Sequence, residues 1–289
     1  MGLELVEGAV GDPRNARYLA MACDLAYFDE AEAAPRFREE LGLEARLISV
    51  GNTQVYVGRN DRSVVVAFRG SQAPTTLDGL KDWFLTNAND LLVLPEGRAG
   101  TDFAAAGVGA RFHRGFLEAL ADVWDPLYAA VDTAMKEKER PLWVTGHSLG
   151  GALALLAAWR LQQNFIPVYQ VYTFGAPMIG NAEASKAYQR EFPDKIYRFV
   201  DGEDPVPLLP TVSLVANAYD HCLNEVLLGA AQAAGAASSA LQGAAGQAAE
   251  GLLQATLIDE LWGKTTARIS RHLITNYHER IAEKCGPNG

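Results

Sequence analysis

One stretch constrains this chain more than any other: Leu142-Trp143-Val144-Thr145-Gly146-His147-Ser148-Leu149-Gly150-Gly151-Ala152. An apolar run ends at a serine flanked by glycines and passes at once into small residues suited to a close-packed helix. A strand that becomes a helix within two residues must hold one residue in strained backbone, and glycines on either side admit the tight approach such a turn demands. The new helix then aims its unpaired N-terminal amides at the serine hydroxyl, where an oxyanion would form. Ser148 is therefore the candidate nucleophile; the bland alternative is an ordinary glycine-rich strand–helix junction.

The rest of the chain supplies the alternation that such a turn belongs to. Tyr18, Leu19, Met21, Ala22, Leu25 and Ala26 recur at helical spacing, and Pro35 is expected to separate this helix from a second, short one. Leu47–Val50 and Gln54–Val57 read as short strands. Ser63–Phe68 is continuously apolar after its serine, as a central strand buried on both faces should be. Phe116, Leu120, Val123, Leu127, Val131 and Met135 mark a long amphipathic helix that ends in the mixed-charge run Lys136–Arg140. Further strands are expected at 142–145, 168–174 and 195–200, with helices at 149–162, from near Asn181, and over about 270–284. Strands alternating with helices predict an α/β architecture, a mostly parallel central sheet with helices on both faces. The 289 residues fit one large domain, expected over 1–289. Residues 72–112 read as irregular. The segment 226–249 carries no charge and is rich in alanine and glycine, so an Ala/Gly-rich helical insertion is expected over about 226–262, either closely packed or an interfacial flap.

Composition removes several classes of function. Lys plus Arg is 25 against 35 Asp plus Glu, a net charge of −10, which makes nucleic acid and anionic membranes poor partners. The three cysteines, Cys23, Cys222 and Cys285, show no metal-ligand spacing and are too few to staple the fold. No metal is expected, and a reducing compartment suits the chain. The first ten residues lack the features of a secretory signal, and no run is long and apolar enough to span a bilayer. The expected location is cytoplasmic by default, or exported without a readable leader.

A serine nucleophile needs a base, and in this kind of fold the chain order is serine, acid, histidine. That order excludes His113 and His147, and His147 is expected to pack beneath the turn. His221, His272 and His278 remain. The acid should follow a later strand, and Asp201, Glu203 and Asp204 all follow Ile196–Val200. Asp201-Gly202 also reads as a turn, while Pro205 pushes Asp204 toward extended backbone.

Six motifs occur in order: Phe68-Arg69-Gly70-Ser71, the downstream Asp82-Trp83, Phe112-His113-Arg114-Gly115-Phe116, Thr145–Ala152, Thr173-Phe174-Gly175-Ala176-Pro177 and Asp204-Pro205-Val206-Pro207. Together they resemble the class 3 lipase family of fungal triacylglycerol lipase type, over roughly residues 45–210. The resemblance implies an α/β-hydrolase fold and hydrolysis of carboxylic esters, often acylglycerols or phospholipids, with no cofactor. It matches Ser148 to the nucleophile, Asp204 to the acid, Ser71 to the hydroxyl residue of the oxyanion hole and Leu149 to the amide that completes it. The chain lacks the disulfides and leader of the fungal members, and residues 226–262 lie outside the family core.

For the histidine, Ser270 is a cap for the last helix and would place His272 in its first turn. His272-Leu273 with Tyr277 also resembles the family's final segment. His221 is the rival, and His278 is expected to pack on the helix surface. The family's short helix over the site would fall in a candidate lid over 72–100, where Leu77, Leu80, Trp83 and Phe84 share one face; a helix docked permanently on the core would bury the same residues. The expected activity is that of a lipase on acylglycerols, its partner a lipid or ester substrate, at a lipid–water interface if the lid opens. Alternatives are a phospholipase A or soluble carboxylesterase with the same triad, an acyltransferase, and a non-catalytic binding protein. Added alcohols that divert the acyl group would mark transfer, and a fluorophosphonate that fails to label Ser148 would mark the non-catalytic case. Oligomeric state is not legible.

Overall fold

The computed structural model describes residues 3–70, 92–204, 206–208, 219–222, 224–228 and 272–285. In chain order its strands are β1 (Glu44–Val50), β2 (Thr53–Arg59), β3 (Val64–Phe68), β4 (Leu92–Val93), β5 (Phe112–His113), β6 (Leu142–His147), β7 (Gln170–Phe174), β8 (Gly180–Asn181), β9 (Ile196–Asp201), β10 (Tyr219–Asp220) and β11 (Asn224–Leu228). The helices are α1 (Pro13–Leu25), α2 (Glu30–Leu41), α3 (Gly97–Phe103), α4 (Arg114–Glu137), α5 (Leu149–Gln163), α6 (Ala182–Glu191) and α7 (Ile274–Cys285).

The main sheet has the order β1-β2-β3-β6-β7-β9-β11. Only its first three strands run antiparallel; from β3 to β11 every pairing is parallel. This is the α/β-hydrolase arrangement. Both faces are covered, and β3 records that in its side chains. Val64, Val66 and Phe68 enter the core beneath α4, α5 and α6, while Val65 and Ala67 enter the core beneath α1, α2 and α7. A five-residue strand with no exposed position follows from burial on both sides.

Register positions the site. Phe68 pairs with Gly146, His147 with Phe174, and Phe174 with Phe199. The parallel strands therefore end on one edge, and the chain leaves that edge at Arg69, Ser148, Gly175 and Gly202. The helix after β6 is buried from Gly150 through Leu161, which explains why its first turns are glycine and alanine.

Four expectations need correction. Pro35 does not divide two helices but lies inside α2; the break comes before Asp29, whose carboxylate accepts from the Glu32 amide at 3.0 Å. The proline removes one amide donor, while the Asp29 cap, the left-handed Gly42 and the buried Ala33, Phe37 and Leu41 hold the helix. Residues 92–112 are not irregular throughout, since β4, α3 and a 3-10 turn at Ala104–Ala106 lie there. Of the candidate lid, 72–91 and with them Leu77, Leu80, Trp83 and Phe84 lie outside the described residues. The remainder belongs to β4 and α3, and α3 is tied down: Asp102 takes Arg160 Nε at 2.7 Å and Asn164 Nδ2 at 3.0 Å, and its carbonyl takes the Trp159 indole. The Ala/Gly-rich insertion does not begin as a helix at 226, because Val226–Leu228 complete β11, where Leu227 pairs with Val200 and Leu228 is buried. Its remainder lies outside the described residues. The last helix starts at Ile274, so His272 precedes it by two residues rather than lying in its first turn; Ser270 lies outside the described residues.

Candidate active site

Ser148 sits where β6 becomes α5, with φ 59° and ψ −131°, a backbone region that a non-glycine residue seldom occupies. Bonds on both sides hold it there: its amide donates to the Phe174 carbonyl at 2.9 Å, and its own carbonyl accepts from the Gly151 amide at 2.9 Å. The helix can come this close to the end of β3 because residue 150 has no side chain. A Cβ at Gly150 would lie 2.8 Å from the Arg69 carbonyl oxygen. Leu149 is the first residue of α5, and an amide in that position has no acceptor within its own helix.

The serine hydroxyl meets His272 Nε2 at 2.8 Å, and His272 Nδ1 meets Asp204 Oδ2 at 2.8 Å. The Asp204 side chain is fully buried and that of His272 nearly so. Two further donors satisfy the carboxylate: the Tyr277 hydroxyl at 2.6 Å on Oδ2 and the Val206 amide at 2.9 Å on Oδ1. An ionised carboxylate only accepts, so Nδ1 carries the proton and Nε2 is free to accept one from Ser148. Gly175 leaves room for this junction. Its φ is +57°, and a Cβ there would lie 2.7 Å from Asp204 Oδ2 and 2.9 Å from the Tyr277 hydroxyl.

The competing candidates are occupied elsewhere. Asp201 accepts the Glu203 amide at 3.0 Å, the turn its sequence suggests, and also Asn276 Nδ2 at 2.9 Å. His221 donates from Nε2 to the Pro207 carbonyl at 2.7 Å, and burial, followed by the charge of Arg198, pushes its pKa down to about 3. His147 lies buried beneath the turn, its Nε2 2.6 Å from the His272 carbonyl oxygen and its Nδ1 2.7 Å from the Tyr27 hydroxyl. His278 lies on α7, half-buried. Burial pushes the thiols of Cys23 and Cys222 up to about 12, which removes both as nucleophiles at neutral pH.

The structure thus brings Ser148, His272 and Asp204 together at the sheet edge, with the Leu149 amide beside them. Ser71 lies outside the described residues. Sequence reasoning missed Tyr27, the hydrogen bonds of His147 and the reason Gly175 must be bare. Tyr27 follows α1, and no spacing links it to a residue 120 positions away. The motif around Gly175 was visible, but its reason is a neighbour contributed by α7. Among the described residues, no group of histidine, cysteine and acidic side chains has the arrangement of a metal site, and no helix is long and apolar enough to cross a membrane.

Comparison with known proteins agrees with this geometry. Residues 65–214 match the family described as lipase (class 3). A secreted mono- and diacylglycerol lipase of Fusarium solani is 35% identical over 154 residues, which cover 52% of this chain and 40% of that protein. The chloroplastic phospholipase A(1) DAD1 of Arabidopsis thaliana is 30% identical over 174 residues, 57% of this chain and 37% of that protein. Among solved structures, the triacylglyceride lipase of Rhizomucor miehei superposes with a TM-score of 0.54 at 24% identity, over 74% of this chain and 78% of that one. The chain matches less than half the length of these two curated relatives. The Fusarium protein is named as secreted, so the default expectation of a cytoplasmic chain finds no support there.

Proposed function

The chain belongs to the class 3 lipase family, and from that premise we propose that it is a serine hydrolase of carboxylic esters that acts on acylglycerols. The observation carrying this reading is the unbroken series of hydrogen bonds from Ser148 Oγ through His272 to Asp204, each link 2.8 Å long. Ser148 Oγ attacks the ester carbonyl while His272 Nε2 takes its proton. Asp204 keeps the imidazole in the Nδ1–H form and stabilises the imidazolium, and the Tyr277 hydroxyl donates to the same carboxylate and keeps it aimed. The oxyanion is held by the Leu149 amide with the amide and hydroxyl of Ser71. His272 returns the proton to the leaving alcohol; water then enters by the same route and releases the acid. The chemistry asks for no cofactor.

The substrate class rests on the names of relatives, foremost the mono- and diacylglycerol lipase of Fusarium solani. An exported site of action fits the same name. A phospholipase A activity is the second reading, favoured by the match to the Arabidopsis phospholipase A(1). A panel of short esters, mono-, di- and triacylglycerols and phospholipids, run beside Ser148→Ala, tests both. Release of fatty acid from acylglycerols ahead of phospholipids, lost in Ser148→Ala, is expected. Phospholipid preference would select the second reading, and turnover that survives in Ser148→Ala would overturn both.

A further inference from the structure

We propose that Tyr27 and His147 form a positioning pair for His272, with His147 held as the neutral Nε2–H tautomer; this rests on the serine-hydrolase reading above. The hydrogen-bond directions follow from the atoms involved. His147 Nε2 faces a backbone carbonyl oxygen, which only accepts, so Nε2 carries the hydrogen. In a neutral ring Nδ1 then presents a lone pair, and the Tyr27 hydroxyl donates to it. Both ring nitrogens are thereby satisfied in a ring that is 4% exposed. Burial, and next the neighbouring His272 ring, hold the His147 pKa well below its ordinary value.

The place where these bonds land separates this pair from ordinary core packing. His147 is covalently joined to the nucleophile, and its ring grips the main chain of the base. One side chain therefore spans the two groups whose 2.8 Å separation the reaction requires. His272 lies two residues before α7 and outside both sheets, so it is held by neither strand pairing nor that helix. The third element is the chain just beyond β3: Gly70 packs so closely on the same Tyr27 hydroxyl that a Cβ there would overlap it, and Gly70 immediately precedes Ser71. The end of α1 thus ties together the approach to the oxyanion residue, the turn carrying the nucleophile and the backbone of the base. Neutrality of His147 has its own consequence. The two imidazoles lie 4.7 Å apart, centroid to centroid, and a charge on His147 would oppose the imidazolium that forms on His272 during turnover.

Two measurements test the pair. In protein carrying nitrogen-15 histidine, long-range proton–nitrogen spectra at neutral pH, assigned with His147→Gln, should report His147 as the Nε2–H tautomer. The Nδ1–H form or an imidazolium would overturn the proposal whether or not the protein turns over esters. In kinetics on a dissolved short-chain ester, Tyr27→Phe and His147→Leu should each lower kcat about ten- to a hundred-fold with little change in KM, as a misplaced base does. His147→Gln, whose amide can donate to the same carbonyl, should recover most of that loss. The double variant Tyr27→Phe/His147→Leu should be no slower than His147→Leu alone, because both act through one bond to His272. Wild-type kcat in folded Tyr27→Phe, losses that multiply in the double variant, or no recovery with Gln would each overturn it. Ser148→Ala run alongside separates the two failures: turnover that persists there defeats the hydrolase reading itself.

Discussion

Replacing His272 with alanine takes away the imidazole that touches both the Ser148 hydroxyl and the Asp204 carboxylate. Ester turnover should fall at least about 10³-fold, the scale of losing a triad member. His221→Ala should leave turnover nearly unchanged, because that ring is spent on the Pro207 carbonyl; initial rates on a dissolved ester compare the two variants directly. Gly175→Ala tests a residue with no chemistry of its own. Alanine at φ +57° costs about 1–2 kcal/mol in backbone strain, and its methyl would press on Asp204 Oδ2 from 2.7 Å. A lower melting temperature together with a kcat loss of about 10²-fold is expected; loss of stability with full kcat would show that Asp204 tolerates displacement. At this scale spacing left Asp201, Glu203 and Asp204 open until the family motif pointed to Asp204, and the helix-start position with the family's final segment favoured His272 over His221. In the structure Asp204 and Asp201, three residues apart, differ because α7 brings Tyr277 to the first and Asn276 to the second.

At the scale of elements, α3 shows why a glycine-bearing segment between irregular stretches need not move. Asp102 answers a buried guanidinium: the Arg160 side chain is 4% exposed and stacks 3.8 Å above Trp124. Asp102→Ala would strand that charge, and breaking such a pair costs about 3–5 kcal/mol. Thermal melting should show the loss, while turnover of a dissolved ester well below the melting temperature should persist, since Asp102 lies away from the Ser148–His272–Asp204 contacts. Elements with strong periodicity or a central apolar run, such as α4 and β3, were legible to within a few residues. The start of α7 and the strand β11 were not. β11 earns its conformation by pairing beside β9, and nothing in Asn224–Leu228 announces that neighbour.

For the whole molecule, the buried histidines set a direction for acid stability. His221 and His147 both have depressed folded-state pKa values, the first near 3, against an ordinary value of 6.5. Between those values the unfolded chain binds protons that the folded chain refuses, so stability falls as pH drops below about 6.5. Each such group contributes a slope of up to about 1.4 kcal/mol per pH unit. Denaturant midpoints measured from pH 7.5 to pH 4.5 should decline, and His221→Gln, which keeps a donor for Pro207, should flatten part of the decline. An unchanged slope in that variant would remove His221 from the account.

What the sequence determined by itself is what local chemistry governs: the strand–turn–helix at Ser148 and the alternation of strands and helices. Periodicity, turn residues and composition act over a few residues and can be read from a few residues. The family resemblance had already pointed to His272 and Asp204; only the tertiary structure decided the contacts that join them to a serine 124 positions earlier, occupied His221 and Asp201 elsewhere, and brought in a tyrosine after the first helix. Those choices depend on strand register and on which helix packs over which sheet edge. Such contacts are fixed by the burial of both sheet faces at once, and no short stretch of chain encodes them alone.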